Sequence, residues 1–412
     1  MIYAGTPIYL DNNASTAPDP LVVEAVGNAL RQLVANPSSH HAAGLAAARQ
    51  IETARELLAA LVDCRPREVV FTSGATEANN LALQGVWLGT RTTAPNRNRI
   101  VIGATEHPAI YEVATELEHL GAELVVVPVN GCGVLDLFQL AAAVNDKTLL
   151  VSVMAANNET GVISALDEVV KIAHEHGAWV HSDATQAIGR IPVSFTALDL
   201  DLLSLSAHKM HGPKGVGALV CSRQVPLAGI AIGGGQERGL RSGTLNTPGI
   251  VGLGVAANLA RSRLQEYTQI EKLRDSFVGK LTKMIPAIEE NGRGAARLPN
   301  TANLRFVGAD ADAVMAGMPL LSCSSGSACA SAVPTPSPVL LAMGLSSAAA
   351  SESLRFSLSR TTTEHEPNRG ILSQKRITAV SAGLGGDYCF SKPTIARVKC
   401  FVPGEFSFGA IR

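Results

Sequence analysis

The sequence has no surplus of charge: 34 lysines and arginines stand against 35 aspartates and glutamates, a net of −1. That balance excludes the broad basic footprint on which sequence-independent binding to nucleic acid or to an acidic membrane relies. It has seven cysteines but no C-x-x-C pair among them, which argues against both a disulfide framework and a zinc ribbon. No apolar run reaches the roughly 18 residues that a membrane span requires. The opening Met1-Ile-Tyr-Ala-Gly-Thr-Pro-Ile-Tyr-Leu10 has no basic run ahead of an apolar stretch, so a soluble cytoplasmic protein is expected. Aromatic residues are scarce too, at 4%, and unevenly spread: Phe390, Phe401, Phe406 and Phe408 crowd the end of the chain. No internal repeat is evident.

What remains is ample apolar material, 46% of the chain against 17% charged, which excludes disorder of the whole. At 412 residues the chain exceeds the roughly 250–300 at which a single core stops growing, so more than one domain is expected. Short β-branched runs alternate with Ala/Leu-rich segments of helical period between about residues 20 and 260. The strands read as Val69–Thr72, Ile100–Ile102, Leu124–Val127, Leu149–Val153, Ala178–His181, Leu202–Leu205 and Gly217–Cys221, with helices near 41–62, 76–89, 109–120, 136–144 and 165–176. That order predicts an α/β fold built on a mainly parallel seven-stranded sheet. From Pro248 to Met284 the period stays helical, and its Gly/Ala content predicts close packing against another element. Strands follow at Ala302–Phe306 and Leu354–Leu358.

Several strand ends carry chemistry. Lys209 follows a strand in Ser204-Leu-Ser-Ala-His-Lys-Met-His-Gly-Pro-Lys-Gly215, where open α/β sheets place their sites, and a lysine so confined suits covalent attachment to an aldehyde cofactor. A metal pair of His208 and His211 lacks a third ligand at suitable spacing. Asp183, in His181-Ser-Asp-Ala-Thr-Gln186, reads either as a helix cap or as the carboxylate that keeps a pyridine nitrogen protonated; Lys209 on the next strand favours the second. Phe71-Thr-Ser-Gly-Ala-Thr-Glu77 is a strand, a glycine turn and a helix start, an anion site through free backbone N–H groups. Thr76 adds a hydroxyl there or merely caps the helix with Asn79 and Asn80. The segment lacks the spacing of an ATP-binding loop. His107 before Pro108 and Asn158 in Asn157-Asn-Glu159 end two further strands. Gly233 to Thr244 is a doubly basic glycine loop that suits phosphate contact or a linker. Cys64, Cys221 and Cys323 read as buried small hydrophobes. Cys329, in Ser324-Ser-Gly-Ser-Ala-Cys329, has flanks that offer mobility and access instead.

Together with Tyr9-Leu-Asp-Asn-Asn-Ala14, Asn36-Pro-Ser-Ser39, Thr105-Glu-His107, Gly212-Pro-Lys-Gly215 and Leu354-Arg-Phe-Ser-Leu358, these segments resemble the pyridoxal-phosphate-dependent cysteine desulfurases of the NifS/IscS type, within the class V aminotransferases, over nearly all of residues 8 to 360. The resemblance implies a fold type I transferase acting as a homodimer, with residues 15–261 as a large cofactor domain and 1–14 with 262–360 as a smaller α+β domain that carries the cysteine loop. It implies that Lys209 holds pyridoxal 5'-phosphate, with Asp183 on the ring nitrogen, Gln186 near the ring hydroxyl, His107 stacked on the ring and Asn158 facing the cofactor and substrate. Ala75, Thr76, Ser206, Ala207 and His208 match phosphate-side positions, and Thr244 matches one that reaches the partner subunit's cofactor. Arg355 resembles the arginine that grips the substrate carboxylate.

Cys329 resembles the nucleophile that takes sulfur from L-cysteine, leaving L-alanine and an enzyme persulfide destined for an iron–sulfur scaffold; no intrinsic metal is implied, though Cys329 would serve as a transient cluster ligand. The alternatives are a selenocysteine lyase or another fold type I enzyme, and a weakened desulfurase that acts as a binding scaffold. That last alternative rests on residues 361–412: after Thr361-Thr-Thr-Glu-His-Glu366 an unpatterned tail replaces the family's C-terminal helix, and the expectation is a tail foreign to the fold that packs poorly.

Overall fold

The computed structural model describes residues 7–325, 336–364 and 366; Cys329 and the tail from 367 onward, on which two of these expectations fall, lie outside the described residues. A short strand β1 (Ile8–Tyr9) precedes helices α1 (Pro20–Gln32) and α2 (Ala42–Val62). Seven strands follow: β2 (Val69–Thr72), β3 (Arg99–Gly103), β4 (Glu123–Val127), β5 (Thr148–Ser152), β6 (Trp179–Asp183), β7 (Leu202–Ser206) and β8 (Gly217–Cys221). Between them run α3 (Ala75–Thr90), α4 (Pro108–His119), α5 (Leu137–Ala143) and α6 (Leu166–Glu175). The strands form the expected single sheet, ordered β2-β8-β7-β6-β5-β3-β4, parallel except for β8, which runs against both neighbours.

Strands β5, β7 and β8 are buried at every position, as strands covered on both faces must be. One face packs against α2 and α6 around Leu58, Phe71, Val151, Val169 and Leu205, the other against α3 and α4 around Leu81, Ile102, Ile110 and Leu219. The chain leaves β3 outward to β4 and returns on the other side of β3 to β5. The crevice beyond the carboxyl ends of β3 and β5 is therefore the switch point at which such sheets bind ligands.

Helix α1 was not legible as a helix from its period, although its start is marked: Asp19 caps it by accepting from Leu21 N, and Pro20 opens its first turn. The long helix expected over Pro248–Met284 is instead two, α7 (Thr247–Ser262) and α8 (Tyr267–Met284), joined by a 3₁₀ turn at Leu264–Glu266. Arg263 closes α7 and turns its guanidinium to Asp19, 2.9 Å away, so the break is fixed by a partner some 240 residues earlier in the chain. The expected close packing of the glycine-rich helix is present: a Cβ on Gly254 would lie 2.6 Å from Ala54 Cα of α2.

A second layer is built from β9 (Ile288–Glu290), β10 (Thr301–Phe306), α9 (Ala311–Ala316), β11 (Leu321–Ser322), α10 (Pro338–Ala342), α11 (Ser347–Ser351) and β12 (Ser353–Ser357). Its antiparallel sheet β12-β10-β9 packs on α8, and β1 pairs with β11. Phe277 of α8 meets Phe356 edge-on with ring centroids 5.3 Å apart, and Ile8 and Leu10 join the same core. The first described residues are thus stitched to β12, where Asp11 bridges to Ser357.

Candidate active site

A cavity of about 400 Å³ opens at the carboxyl ends of β5, β6 and β7 and beside the β2–α3 turn. Lys209 sits in its wall, at the end of a 3₁₀ turn that follows β7 without a break. Its Nζ donates to the carbonyls of Asn13 at 2.5 Å and Ala14 at 2.9 Å. Asp183, the last residue of β6, lies in the same wall and caps no helix. Asn79 of α3 donates to its Oδ2 at 2.8 Å and Thr185 N to its Oδ1 at 3.0 Å, which meets part of the cost of burying a carboxylate.

The phosphate-side expectation falls on the start of α3. Its N-cap is Gly74, with φ 156° and no side chain closing the helix, so the first-turn amides at Ala75 and Thr76 face the cavity with the positive end of the helix dipole. The capping alternative for Thr76, Asn79 and Asn80 is not realised, since Asn79 turns to Asp183 and Asn80 donates back to Thr76 O. Ser206 and His208 line the facing side, and Ala207 is buried behind them, outside the wall. Backbone closes in from below: a Cβ on Gly217 would meet Gly74 Cα at 2.7 Å and Leu205 O at 2.5 Å. The glycine loop also reaches this helix, through Arg241 on Glu77 at 2.7 Å.

The opposite wall holds His107, Asn158, Gln186 and Arg355. His107 caps α4, its Nδ1 accepting from Ala109 N at 3.1 Å, which leaves the proton of the neutral ring on Nε2. Arg355 donates from Nη1 to Asn158 O at 3.0 Å and from Nη2 to Asp11 Oδ1 at 2.7 Å. Gln186 donates to Asn13 O and receives Arg190. Thr244 is exposed and stands outside the wall.

Burial dominates the electrostatics. It pulls the His107 imidazole below its usual value, opposed by Asp183 and reinforced by Lys209. It lowers His208 to about 4, with Lys209, Lys214 and Arg190 acting the same way. Both rings are therefore neutral near pH 7. Beneath His107, the fully enclosed Glu106 is pushed well above the carboxylate range although its Oε1 accepts from Met154 N at 2.7 Å. Beside Asn158, burial raises Glu159 to about 7, against the Ser337 hydroxyl that donates to it at 2.5 Å and the charge of Arg355. Burial pushes the thiols of Cys64, Cys221 and Cys323 up to about 12, although only Cys221 is buried as expected and the other two are half-buried at the edge of the cores.

Three contributors were not assigned from sequence. Asn13 is a hub: besides its carbonyl, its Nδ2 donates to Asn158 O and Thr301 Oγ1. Asn79 reads from sequence only as a possible helix cap until α3 is laid against β6. Thr185 lines the cavity with a buried hydroxyl that has no partner among the described residues. The signal for Asn13 lay in the motif Tyr9-Leu-Asp-Asn-Asn-Ala14, whose polar run sits far from the sheet in sequence.

Known proteins share this architecture. A cysteine desulfurase of Frankia sp. (strain EuIK1) is 46% identical over 375 residues, 87% of this chain and 88% of that protein. The cysteine desulfurase IscS of Rickettsia peacockii (strain Rustic) is 40% identical over 369 residues, 89% of each. Among solved structures, a NifS-like protein superposes with a TM-score of 0.84 at 35% identity, covering 91% of this chain and 100% of that one. A structure of SspA in complex with cysteine gives 0.76 at 32%, covering 86% and 100%. The family model for class-V aminotransferases matches residues 8–369, and with a lysine, an aspartate and an open helix start converging on one cavity at the sheet's carboxyl edge, this chain belongs to that family.

Proposed function

We propose that this protein is a pyridoxal-phosphate-dependent cysteine desulfurase that converts L-cysteine to L-alanine and passes the sulfur to Cys329 as a persulfide for iron–sulfur cluster assembly. The observation that carries the reading is the convergence of Lys209 Nζ, the Asp183 carboxylate and the uncapped start of α3 on a single cavity. The donor set suits a phosphorylated pyridine aldehyde. Free amides at Ala75 and Thr76 with Ser206 and His208 match a phosphate, Asp183 matches a ring nitrogen that must stay protonated, and the approach of Gly217 to Gly74 leaves no room for a side chain at position 217. When bound, that cofactor supplies an electron sink for the charge left at the substrate Cα.

The chain's own residues have definable tasks in this reading. Lys209, steered by the carbonyls of Asn13 and Ala14, takes the Cα proton on Nζ. His107, neutral and protonated on Nε2, holds a transferable proton at the cavity wall, where it would contact the ring of the cofactor. Gln186 and Asn158 orient the cofactor and substrate, and Arg355 receives the substrate carboxylate with a planar fork. The Cys329 sulfur attacks the substrate sulfur: a C–S bond breaks and an S–S bond forms, and L-alanine with the persulfide accounts for every atom of L-cysteine and the enzyme thiol. An unperturbed thiol is only a few per cent ionised near pH 7, so His107 or the substrate thiol is the proton partner. The exposure of Thr244 outside the wall suits a contact made to the cofactor of a second copy in a homodimer.

Intact-mass measurement after incubation with L-cysteine tests the reading. One added sulfur on the Cys329 peptide is expected, absent in Cys329→Ala, which keeps the visible cofactor band. Lys209→Ala should lose the borohydride-fixed cofactor mass. Equal alanine production by Cys329→Ala would sink the persulfide route, and a fixed cofactor in Lys209→Ala would displace the lysine.

A further inference from the structure

The segment Asp11–Ala14 serves two cations of the cavity wall, Lys209 and Arg355, yet only its end faces Lys209; Asp11 turns the other way, onto Arg355. The Arg355 side chain is 4% exposed, and two of its three nitrogens are engaged, Nη1 by Asn158 O and Nη2 by Asp11 Oδ1. Its Nε is buried and has no partner among the described residues. A guanidinium grips a carboxylate best through two neighbouring nitrogens, either Nη1 with Nη2 or Nε with Nη2. Nη2 belongs to both pairs. A carboxylate entering the cavity and binding with both oxygens must therefore share Nη2 with Asp11, which places two negative charges against one positive charge.

The backbone of Asp11 is held in place. Its carbonyl accepts from Tyr9 Oη at 3.1 Å and Ala14 N at 3.0 Å, and its backbone is bridged to Ser357 on β12, two residues beyond Arg355. Its charge is felt nearby, where it adds to burial in raising the Cys323 thiol. Arg355 needs such a partner, because an unpaired buried guanidinium has no fixed direction and a large desolvation cost. An aspartate supplies orientation and at the same time weakens the grip on a second carboxylate.

We propose that Asp11 is a specificity-determining residue of the carboxylate subsite: it aims Arg355 at the cavity and, by sharing Nη2, sets the affinity for the α-carboxylate common to substrate and product. The proposal rests on the reading that Arg355 receives that carboxylate. The carboxylate is unchanged from L-cysteine to L-alanine, so a tighter grip on it stabilises substrate, transition state and product alike and slows product departure without lowering the chemical barrier.

The test is calorimetric titration of the cofactor-loaded protein with L-alanine and with L-alaninamide, which replaces the carboxylate by a neutral amide. Asp11→Asn keeps an acceptor for Nη2 but removes the charge, and should bind L-alanine roughly threefold to tenfold more tightly with no change for L-alaninamide. Asp11→Ala, lacking the acceptor as well, should keep only part of that gain. The KM for L-cysteine should fall in Asp11→Asn without a rise in kcat. Weaker or unchanged L-alanine binding by a loaded Asp11→Asn protein, or equal tightening of both ligands, overturns the role of Asp11. If Arg355→Ala binds L-alanine as wild type does, the carboxylate reading of Arg355 fails first and the proposal falls with it, an outcome that leaves its own signature.

Discussion

Two arginine–carboxylate pairs, one buried on both partners and one with its arginine on the cavity wall, are built to opposite ends. Arg55 and Glu237 lie beneath the phosphate-side wall. Arg55 donates from Nη1 to Val69 O and Glu237 at 2.9 Å each, from Nη2 to Glu237 at 2.7 Å and from Nε to Glu52 at 3.1 Å, while Glu237 also receives Phe71 N at 2.8 Å. Every nitrogen is engaged, the cation lies over the Phe71 ring, and the glycine loop is pinned to β2 although Glu237 and Arg238 must both take left-handed backbone, with φ of 48° and 62°. Arg355 and Asp11 share one hydrogen bond and leave Nε without a partner beside the cavity. A fork with all its donors paired is scaffold; a fork left half open on a cavity is available to a ligand.

The largest effect that tests this contrast is on stability. Glu237→Ala removes the acceptor of three buried hydrogen bonds, two of them from Arg55, and should cost about 3–5 kcal/mol in denaturant unfolding, whereas Asp11→Ala removes one and should cost about 1.5–3 kcal/mol, the scale of one hydrogen bond to a charged group. Equal losses would erase the distinction between scaffold and ligand fork. A smaller effect separates the walls themselves. Gly217→Ala pushes backbone against Gly74 and Leu205 and should cost about 1–3 kcal/mol while weakening cofactor retention on dialysis; unaltered retention would show that the cradle tolerates a methyl group there.

The smallest effect is in pH dependence, where the two sides should respond with opposite sign. His181, fully buried under the sheet end between Ser152 and Ser204 at 2.9 Å each, is lowered to about 4 by burial, with Asp183 opposing. Its folded pKa lies below the unfolded one, so its contribution is whole above about pH 6.5 and is lost as pH falls towards 4. Glu159, on the Arg355 side, is raised to about 7, so its contribution is whole below the ordinary carboxylate range and is lost as pH rises through 7. Unfolding midpoints across that range should show His181→Asn flattening the acid limb and Glu159→Gln flattening the neutral one. A Glu159→Gln profile that parallels wild type would mean the carboxyl is ionised throughout.

Much of the first wall was readable before the fold was known. Strand, glycine turn and helix start at Phe71–Glu77, and a lysine directly after a strand, are local patterns in which neighbours in sequence are neighbours in space. The same locality made the seven strands and five of the helices legible. The members of the second wall were named from strand ends and family motifs, but not how they pair. The Asp11–Asn13 segment, Asn158 and Arg355 come from three separate stretches of chain, and nothing near any one of them in sequence signals its contacts with the others. The break between α7 and α8 failed for the same reason, since Arg263 answers to Asp19 rather than to its own helical period. Asn79 is a further case, an interior helix residue given its task only by the strand it faces.

By itself, then, the sequence determined the sheet, the strand ends that carry Lys209 and Asp183, and the anion-binding helix start, because hydrophobic period and turn chemistry act over a few residues. Tertiary structure alone decided how those groups are aimed: that the Asp11–Ala14 segment lies across both Lys209 and Arg355, that Asn79 restrains Asp183, and that one arginine fork is closed while the other is open. Hydrogen bonds and ion pairs act over about 3 Å of space whatever the separation along the chain, so their partners exist only once the core has brought them together.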